Sequence, residues 1–235
     1  MFLNASTVDI WRIFLDAPEQ DGQNWARHLS AEECNRSQLF KCAIQKRRFD
    51  KAHGALRVIL ASYTQIDPQK LRIEISKKGK PALDHEGLSI HFNLSHSGDF
   101  ALCAVSLSPV GVDIEKSRPL HSLEALSKRF FCLSEHNYIM AQAELAHRQD
   151  AFFKIWTAKE AVLKGLGVGI GNNLHNTEIA VSQAQGTQLL SLCGSDSLAA
   201  EWRLQELSLD AAFYGNVALK TGEDFFVAVH EFATI

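Results

Sequence analysis

The run Gly111-Val112-Asp113-Ile114-Glu115-Lys116 alternates apolar and acidic residues, the pattern of a strand with one buried face. Residues two apart in a strand project to the same side, so Asp113 and Glu115 stand together while Val112 and Ile114 turn inward. Neighbouring carboxylates repel unless a cation lies between them. Hard oxygen donors at this spacing suit Mg2+, which shares its coordination shell with waters and substrate phosphates. On spacing alone, a solvent-facing acidic pair at a sheet edge also fits.

A second constellation is Phe152-Phe153-Lys154-Ile155-Trp156-Thr157-Ala158-Lys159-Glu160-Ala161-Val162-Leu163-Lys164-Gly165. Phe152, Ile155, Trp156, Lys159 and Leu163 lie near one helical stripe, whose apolar members pack inward. Glu160 and Lys164, four apart, are surface neighbours on that helix. They supply either a third carboxylate and a phosphate-binding cation, or an ordinary ion pair contributing about 0.2–0.5 kcal/mol. In Phe92-Asn93-Leu94-Ser95-His96-Ser97-Gly98-Asp99, small hydroxyls and a histidine could donate hydrogen bonds to a phosphate. The same residues would also make a self-bonded polar turn. Basic side chains cluster at Arg36 and Lys46-Arg47-Arg48, and again at Lys77, Lys78 and Lys80 around a Gly-Pro turn.

Other chemistries lack their signatures. No G-x-S-x-G places a nucleophilic serine. His91 and His96 have neither cysteine companions nor an H-E-x-x-H helix to make a zinc site. The glycines Gly165, Gly167 and Gly169 close a helix instead of opening one, which argues against a dinucleotide fold.

The elements that must position these residues follow from periodicity. Val8 to Leu15 reads as a strand, and Ser30-Ala31-Glu32-Glu33 as a capping box opening a helical stretch that runs, in two pieces, to about Tyr63. Strands are predicted over Leu71–Ile75, Leu88–Leu94, Phe100–Leu107 and Val112–Glu115. Helical pattern returns over Leu123–Phe131, Ser134–His147 and Asp150–Lys164, and strands close the chain at Glu178–Val181, Trp202–Leu207, Asn216–Lys220 and Phe225–Glu231. Each half thus runs helices first and strands second, dividing near residues 107 and 108. This predicts an α+β fold of two similar, packed subdomains with mostly antiparallel sheets.

Composition bounds the reading. The 235 residues are 46% hydrophobic and 22% charged with a formal charge of −3, which excludes a disordered chain and disfavours broad nucleic-acid binding. The five cysteines form no C-x-x-C and are odd in number, so a reduced, cytoplasmic protein is expected. No apolar run approaches the roughly 20 residues needed to span a membrane, and the N-terminus lacks the pattern of a signal peptide.

Taken together, the chain resembles the 4′-phosphopantetheinyl transferases, specifically their larger single-chain class that serves surfactin-type synthetases. The resemblance rests on Gly79-Lys80-Pro81, Phe92-Asn93-Leu94-Ser95-His96, Gly111-Val112-Asp113-Ile114-Glu115-Lys116, Arg129-Phe130-Phe131 and Trp156-Thr157-Ala158-Lys159-Glu160-Ala161-x-x-Lys164. It implies a monomer built as a pseudo-dimer, with coenzyme A in the cleft between halves. Residues 1–107 would form the nucleotide side and residues 108–235 would carry the metal-binding and catalytic carboxylates. The implied reaction moves the phosphopantetheine arm to a serine of an apo acyl or peptidyl carrier protein and releases 3′,5′-ADP, without nucleic acid or membrane.

By the same resemblance, Asp113, Glu115 and Glu160 would hold Mg2+ on the pyrophosphate; removal of the serine proton needs a base, for which Glu160 is the candidate, directly or through a metal-bound water. Lys164 would contact the pyrophosphate, Ser95 and His96 the nucleotide's phosphates. Lys78 and Lys80 would line the nucleotide pocket, and Arg36 would meet a phosphate. Glu33, Cys42 and Ile75 stand where some relatives carry basic or polar residues. Two rival readings use the same residues: a Mg2+-dependent phosphohydrolase of a nucleotide diphosphate, and a non-catalytic coenzyme A- or carrier-binding protein.

Overall fold

The computed structural model describes residues 3–4, 6–16, 24–85, 87, 89–169, 171–182 and 186–233. Strand β1 (Thr7–Phe14) buries Val8, Ile10 and Ile13. Ser30 caps α1 (Ala31–Gln38) as expected: its hydroxyl accepts from the Glu33 N–H at 3.2 Å, and the Glu33 carboxylate accepts from the Ser30 N–H at 2.8 Å. The 22-residue α2 (Ala43–Thr64) then lays Ala52, Ala55, Leu56, Ile59 and Leu60 on the sheet. A short hairpin, β2 (Ile73–Ile75) and β3 (Pro81–Leu83), precedes β4 (His91–Ser97) and β5 (Phe100–Ser106). The expected start of β4 at Leu88 lies outside the described residues.

After the crossing strand β6 (Val110–Lys116) the plan repeats. Two short helices, α3 (Leu123–Phe130) and α4 (Leu133–Met140), lead to the 22-residue α5 (Leu145–Leu166). A hairpin follows, β7 (Glu178–Ser182) and β8 (Gly186–Ser191), then α6 (Asp196–Ala200), β9 (Trp202–Glu206), β10 (Phe213–Lys220) and β11 (Phe226–Glu231).

One sheet has the order β11-β1-β5-β4 and the other β6-β10-β9. The antiparallel series β1-β5-β4 and β6-β10-β9 are the same topology, each with a 22-residue helix across it and a separate hairpin. The fold is therefore α+β with two similar halves, a pseudo-dimer within one chain. The sheets share a dry core of Val8, Ile10, Leu102, Val110, Val112, Ile114 and Val217. Strand β11 breaks the repeat by pairing in parallel with β1, so the last strand returns to the first sheet.

Several expected boundaries move. The helix expected over Ser134–His147 starts at Leu133 and ends at Met140, and α5 begins at Leu145, ahead of Asp150. In the break between them the Arg148 guanidinium donates to the Gln142 carbonyl at 2.8 Å. The short β8 and α6 have no counterpart in the periodicity. Ser195 starts α6 by accepting from the Leu198 N–H at 3.2 Å, an N-cap signal visible in sequence but followed by only five helical residues.

Arg57 is almost fully buried and donates to Glu33 at 2.6 Å and to the carbonyls of Pro68 and Leu71. Burial pushes the Glu33 carboxyl up, but His53, the Ser30 N–H and Arg57 outweigh it and hold it down at about 2. Its contribution to stability is therefore full above its ordinary value of 4.5 and is lost as pH falls through about 2. We expect Glu33→Gln to cost about 3–5 kcal/mol near neutrality, because one buried partner is left unpaired. The gap in Tm between the two proteins narrows on acidification below 4.5; a gap independent of pH would refute the pairing.

Candidate active site

The acidic strand meets the tryptophan-bearing helix because both backbones omit a side chain at the crossing. A Cβ on Gly111 would stand 2.0 Å from the Ala161 carbonyl oxygen and 2.3 Å from the Gly165 nitrogen. Gly111 shares the strand face of Asp113 and Glu115, so α5 lies along that face and delivers Glu160 and Lys164 to it. Lys164 Nζ stands 2.5 Å from Asp113 Oδ1 and 4.0 Å from Glu160 Oε2. Asp113 and Glu160 are both buried, whereas Lys164 keeps access to solvent. Gly111→Ala should cost about 1–3 kcal/mol by overpacking. It should also depress activity by lifting α5 off the strand; a variant with wild-type Tm and activity would show that this close approach is dispensable.

Strand β4 joins the cluster through alternate side chains. Asn93 Oδ1 accepts from the Val112 N–H at 2.9 Å, Ser95 Oγ donates to Asp113 Oδ1 at 2.8 Å, and Ser97 Oγ donates to Glu115 Oε2 at 2.9 Å. Asn93, Ser95 and Ser97 share one face of β4, so side chains bridge the two sheets where no backbone ladder does. Ser95 thus belongs to the carboxylate cluster, bonded also by Lys164 at 3.0 Å. His96, the next residue, faces the other way and lines both neighbouring grooves.

The charges are arranged for a cation. Burial pushes the Glu160 carboxyl up to about 7, the Asp113 charge adding to the effect. Burial likewise raises Asp113, with Lys164 and Ser95 pulling the other way. Asp113 Oδ2 is buried with no hydrogen-bond partner. An unpartnered buried oxygen beside a second desolvated carboxyl is a donor set that suits a hard divalent ion. Glu115 is turned aside, held by Ser97 and by Arg118 at 3.0 Å, and among the described residues no three acidic, histidine or cysteine side chains stand close enough to enclose one ion. The residues fit such an ion through Asp113 and Glu160 first.

Two grooves meet at His96, the residue after Ser95, and Glu115 lines one of them. One, of about 320 Å³, is lined by Ser30, Arg36, His53, Ile75, Gly79 and His96, among others. The second, of about 460 Å³, runs from His96 past Arg48 and Phe49 to Glu115 and Arg118. Arg36 packs over the Phe49 ring at 5.3 Å, and Lys78 is exposed on the β2–β3 turn. Lys80 is turned away from these grooves: its ammonium donates to the Gly165 carbonyl and, at 3.3 Å, to that of Val110. There it satisfies a helix-end carbonyl and fastens α5 to β6. Burial lowers its pKa to about 8.

A family model described as the 4′-phosphopantetheinyl transferase superfamily matches residues 109–224. The 4′-phosphopantetheinyl transferase HetI of Nostoc sp. (strain PCC 7120 / SAG 25.82 / UTEX 2576) is 37% identical over 211 residues, covering 88% of this chain and 85% of that protein. The chain belongs to the 4′-phosphopantetheinyl transferases. The 4′-phosphopantetheinyl transferase Sfp of Bacillus subtilis (strain 168) is 28% identical, over 75% of this chain and 78% of that protein. A solved holo-(acyl-carrier-protein) synthase from Bacillus anthracis str. Ames, in complex with CoA (3′,5′-ADP), covers 48% of this chain and 96% of its own, with TM-score 0.36 and 20% identity.

This transferase also holds residues that sequence reasoning did not assign. Lys159, placed on the helical stripe only by spacing, is fully buried, pairs with Glu135 at 2.5 Å and donates to the Leu174 carbonyl at 2.7 Å. Glu135 in turn accepts from the N–H groups of Cys132 and Ile179, so one ion pair ties α4, α5 and β7 together. A lysine inside an apolar stripe was the available signal, since a buried ammonium requires a partner.

Proposed function

We propose that this transferase moves the 4′-phosphopantetheine arm of coenzyme A to a serine hydroxyl of an apo carrier protein, releasing 3′,5′-ADP. The carrier serine oxygen forms a bond to the phosphorus that bears the pantetheine arm, the bond from that phosphorus to the leaving 3′,5′-ADP breaks, and one proton leaves the hydroxyl. Such transfer requires in-line positioning and neutralisation of the leaving phosphate. The observation that carries the reading is the meeting at one point of Asp113 on β6 with Glu160 and Lys164 on α5, remote from it in sequence.

The roles follow from that geometry. Lys164, part-exposed beside Asp113, supplies a cation to the pyrophosphate. Glu160, buried beside Lys164 on α5, accepts the serine proton. Asp113 and Glu160, with Glu115 once released from Arg118, would hold Mg2+, which when bound supplies charge neutralisation at the pyrophosphate. Arg36 and His96 present donors to the nucleotide's phosphates from the groove lined by Gly79, with Lys78 on the turn beside it. Residues 1–107 form the nucleotide side of the cleft and residues 108–235 carry the carboxylates. A pseudo-dimer needs no second copy to complete this site, so the enzyme works as a monomer. Among the described residues no helix is long and apolar enough to cross a membrane.

Intact-mass measurement of candidate apo carriers incubated with coenzyme A tests the reaction: a gain of one phosphopantetheine is expected. Hydrolysis of coenzyme A without an acceptor would favour a phosphohydrolase, and binding without turnover a non-catalytic protein. For carrier docking, Lys128 and Arg129 are exposed in the last turn of α3, Arg129 over the Phe130 ring at 5.0 Å, while Phe131 is core. Reversing both charges should raise carrier KM about tenfold with kcat retained, as rim charges steer encounter. An unchanged KM would dispose of that surface.

A further inference from the structure

The face of α5 that carries Glu160 and Lys164 also carries Thr157, one turn nearer the helix start. Thr157 is buried, as are Asn216 on β10 and Thr187 on β8. The Asn216 amide Nδ2 donates to Thr157 Oγ1 at 2.9 Å, and Asn216 Oδ1 accepts from Thr187 Oγ1 at 3.1 Å. The Thr157 hydroxyl donates onward to the Phe153 carbonyl at 2.9 Å. Asn216 stands directly opposite Asp113 in the β6–β10 ladder. One buried amide therefore fastens α5 to the strand that flanks Asp113, one helical turn before Glu160.

We propose that Asn216, acting through Thr157 and Thr187, is a positioning residue that fixes the rotation of α5 so that Glu160 and Lys164 face Asp113. The proposal rests on the reading of those three side chains as the reacting cluster. Ala158 and Val217, the chain neighbours of Thr157 and Asn216, are buried, and apolar packing by itself is non-directional, so on its own it allows the helix to roll over the sheet. Hydrogen bonds weaken steeply with angle and do not. Replacing all partners of a buried polar group by apolar groups of similar shape is nearly neutral for stability. What the clip contributes is therefore geometry, and misplacing a reacting group by about 1 Å costs about 10²-fold in rate.

The test compares Asn216→Leu, which strands the two threonines, with Asn216→Leu/Thr157→Val/Thr187→Val, which removes the polar clip altogether. Calorimetric titration with coenzyme A counts folded sites, and kcat is expressed per site below each variant's thermal transition. The triple variant should melt above the single one, bind coenzyme A at about one per chain, and show a per-site kcat lower by about 10–100-fold. A merely structural clip would instead reduce the number of sites and leave per-site kcat at the wild-type value, which overturns the proposal. Asp113→Ala measured in parallel separates the two ideas: undiminished transfer there removes the cluster reading itself, whatever the clip variants do.

Discussion

Asp113→Ala is expected to lower transfer by about 10²–10³-fold, the usual cost of removing one electrostatic group aimed at developing charge. The fold should survive. Asp113 is held at a desolvation cost, and its ammonium partner Lys164 is part-exposed, so water replaces the lost carboxylate. Ser95 loses an acceptor, and Asp113 Oδ2, the buried oxygen without a partner, disappears. Transfer rates by carrier mass, with a thermal melt and coenzyme A titration beside them, separate loss of chemistry from loss of structure. A folded variant with normal Mg2+-dependent transfer would remove Asp113 from the metal site.

Glu160→Gln should cost as much, because the same position serves as proton acceptor and cation ligand. It also carries a signature beyond rate. The Glu160 carboxyl titrates at about 7, so in metal-free protein it keeps its proton below that value. Binding a divalent ion there must expel the proton. Calorimetric addition of Mg2+ below pH 7, in two buffers of different ionisation enthalpy, should therefore report proton release in the wild type and none from this position in Glu160→Gln. The raised value also links to stability. Its contribution is full below the ordinary 4.5 and is lost as pH rises through about 7, and the Gln variant lacks that dependence. Equal proton release in both proteins would remove Glu160 from the ion's ligands.

The local chemistry of these segments was legible in sequence because each rule involved spans only a few residues. The Ser30–Glu33 capping box, the stripe of α5 and its end at Gly167 in the left-handed conformation all follow from near-neighbour geometry. So does the shared face of Asp113 and Glu115, and the combination of motifs was specific enough to identify the family. Short elements escaped: β8 and α6 span only six and five residues, and their own periodicity is too brief to register.

Sequence alone determined which residue types could bind a divalent ion and a diphosphate, and that helices and strands would alternate in two similar halves. Tertiary structure decided which of them meet. The pair Gly111 and Gly165 sets the approach of α5 to β6, a contact between backbones 54 positions apart that no periodicity encodes. It turned Lys80 onto carbonyls and drew Ser95 to Asp113, because each buried polar atom takes whatever partner the folded chain brings within reach. Long-range pairing depends on closing loops through space, and a linear pattern carries no record of which loops close.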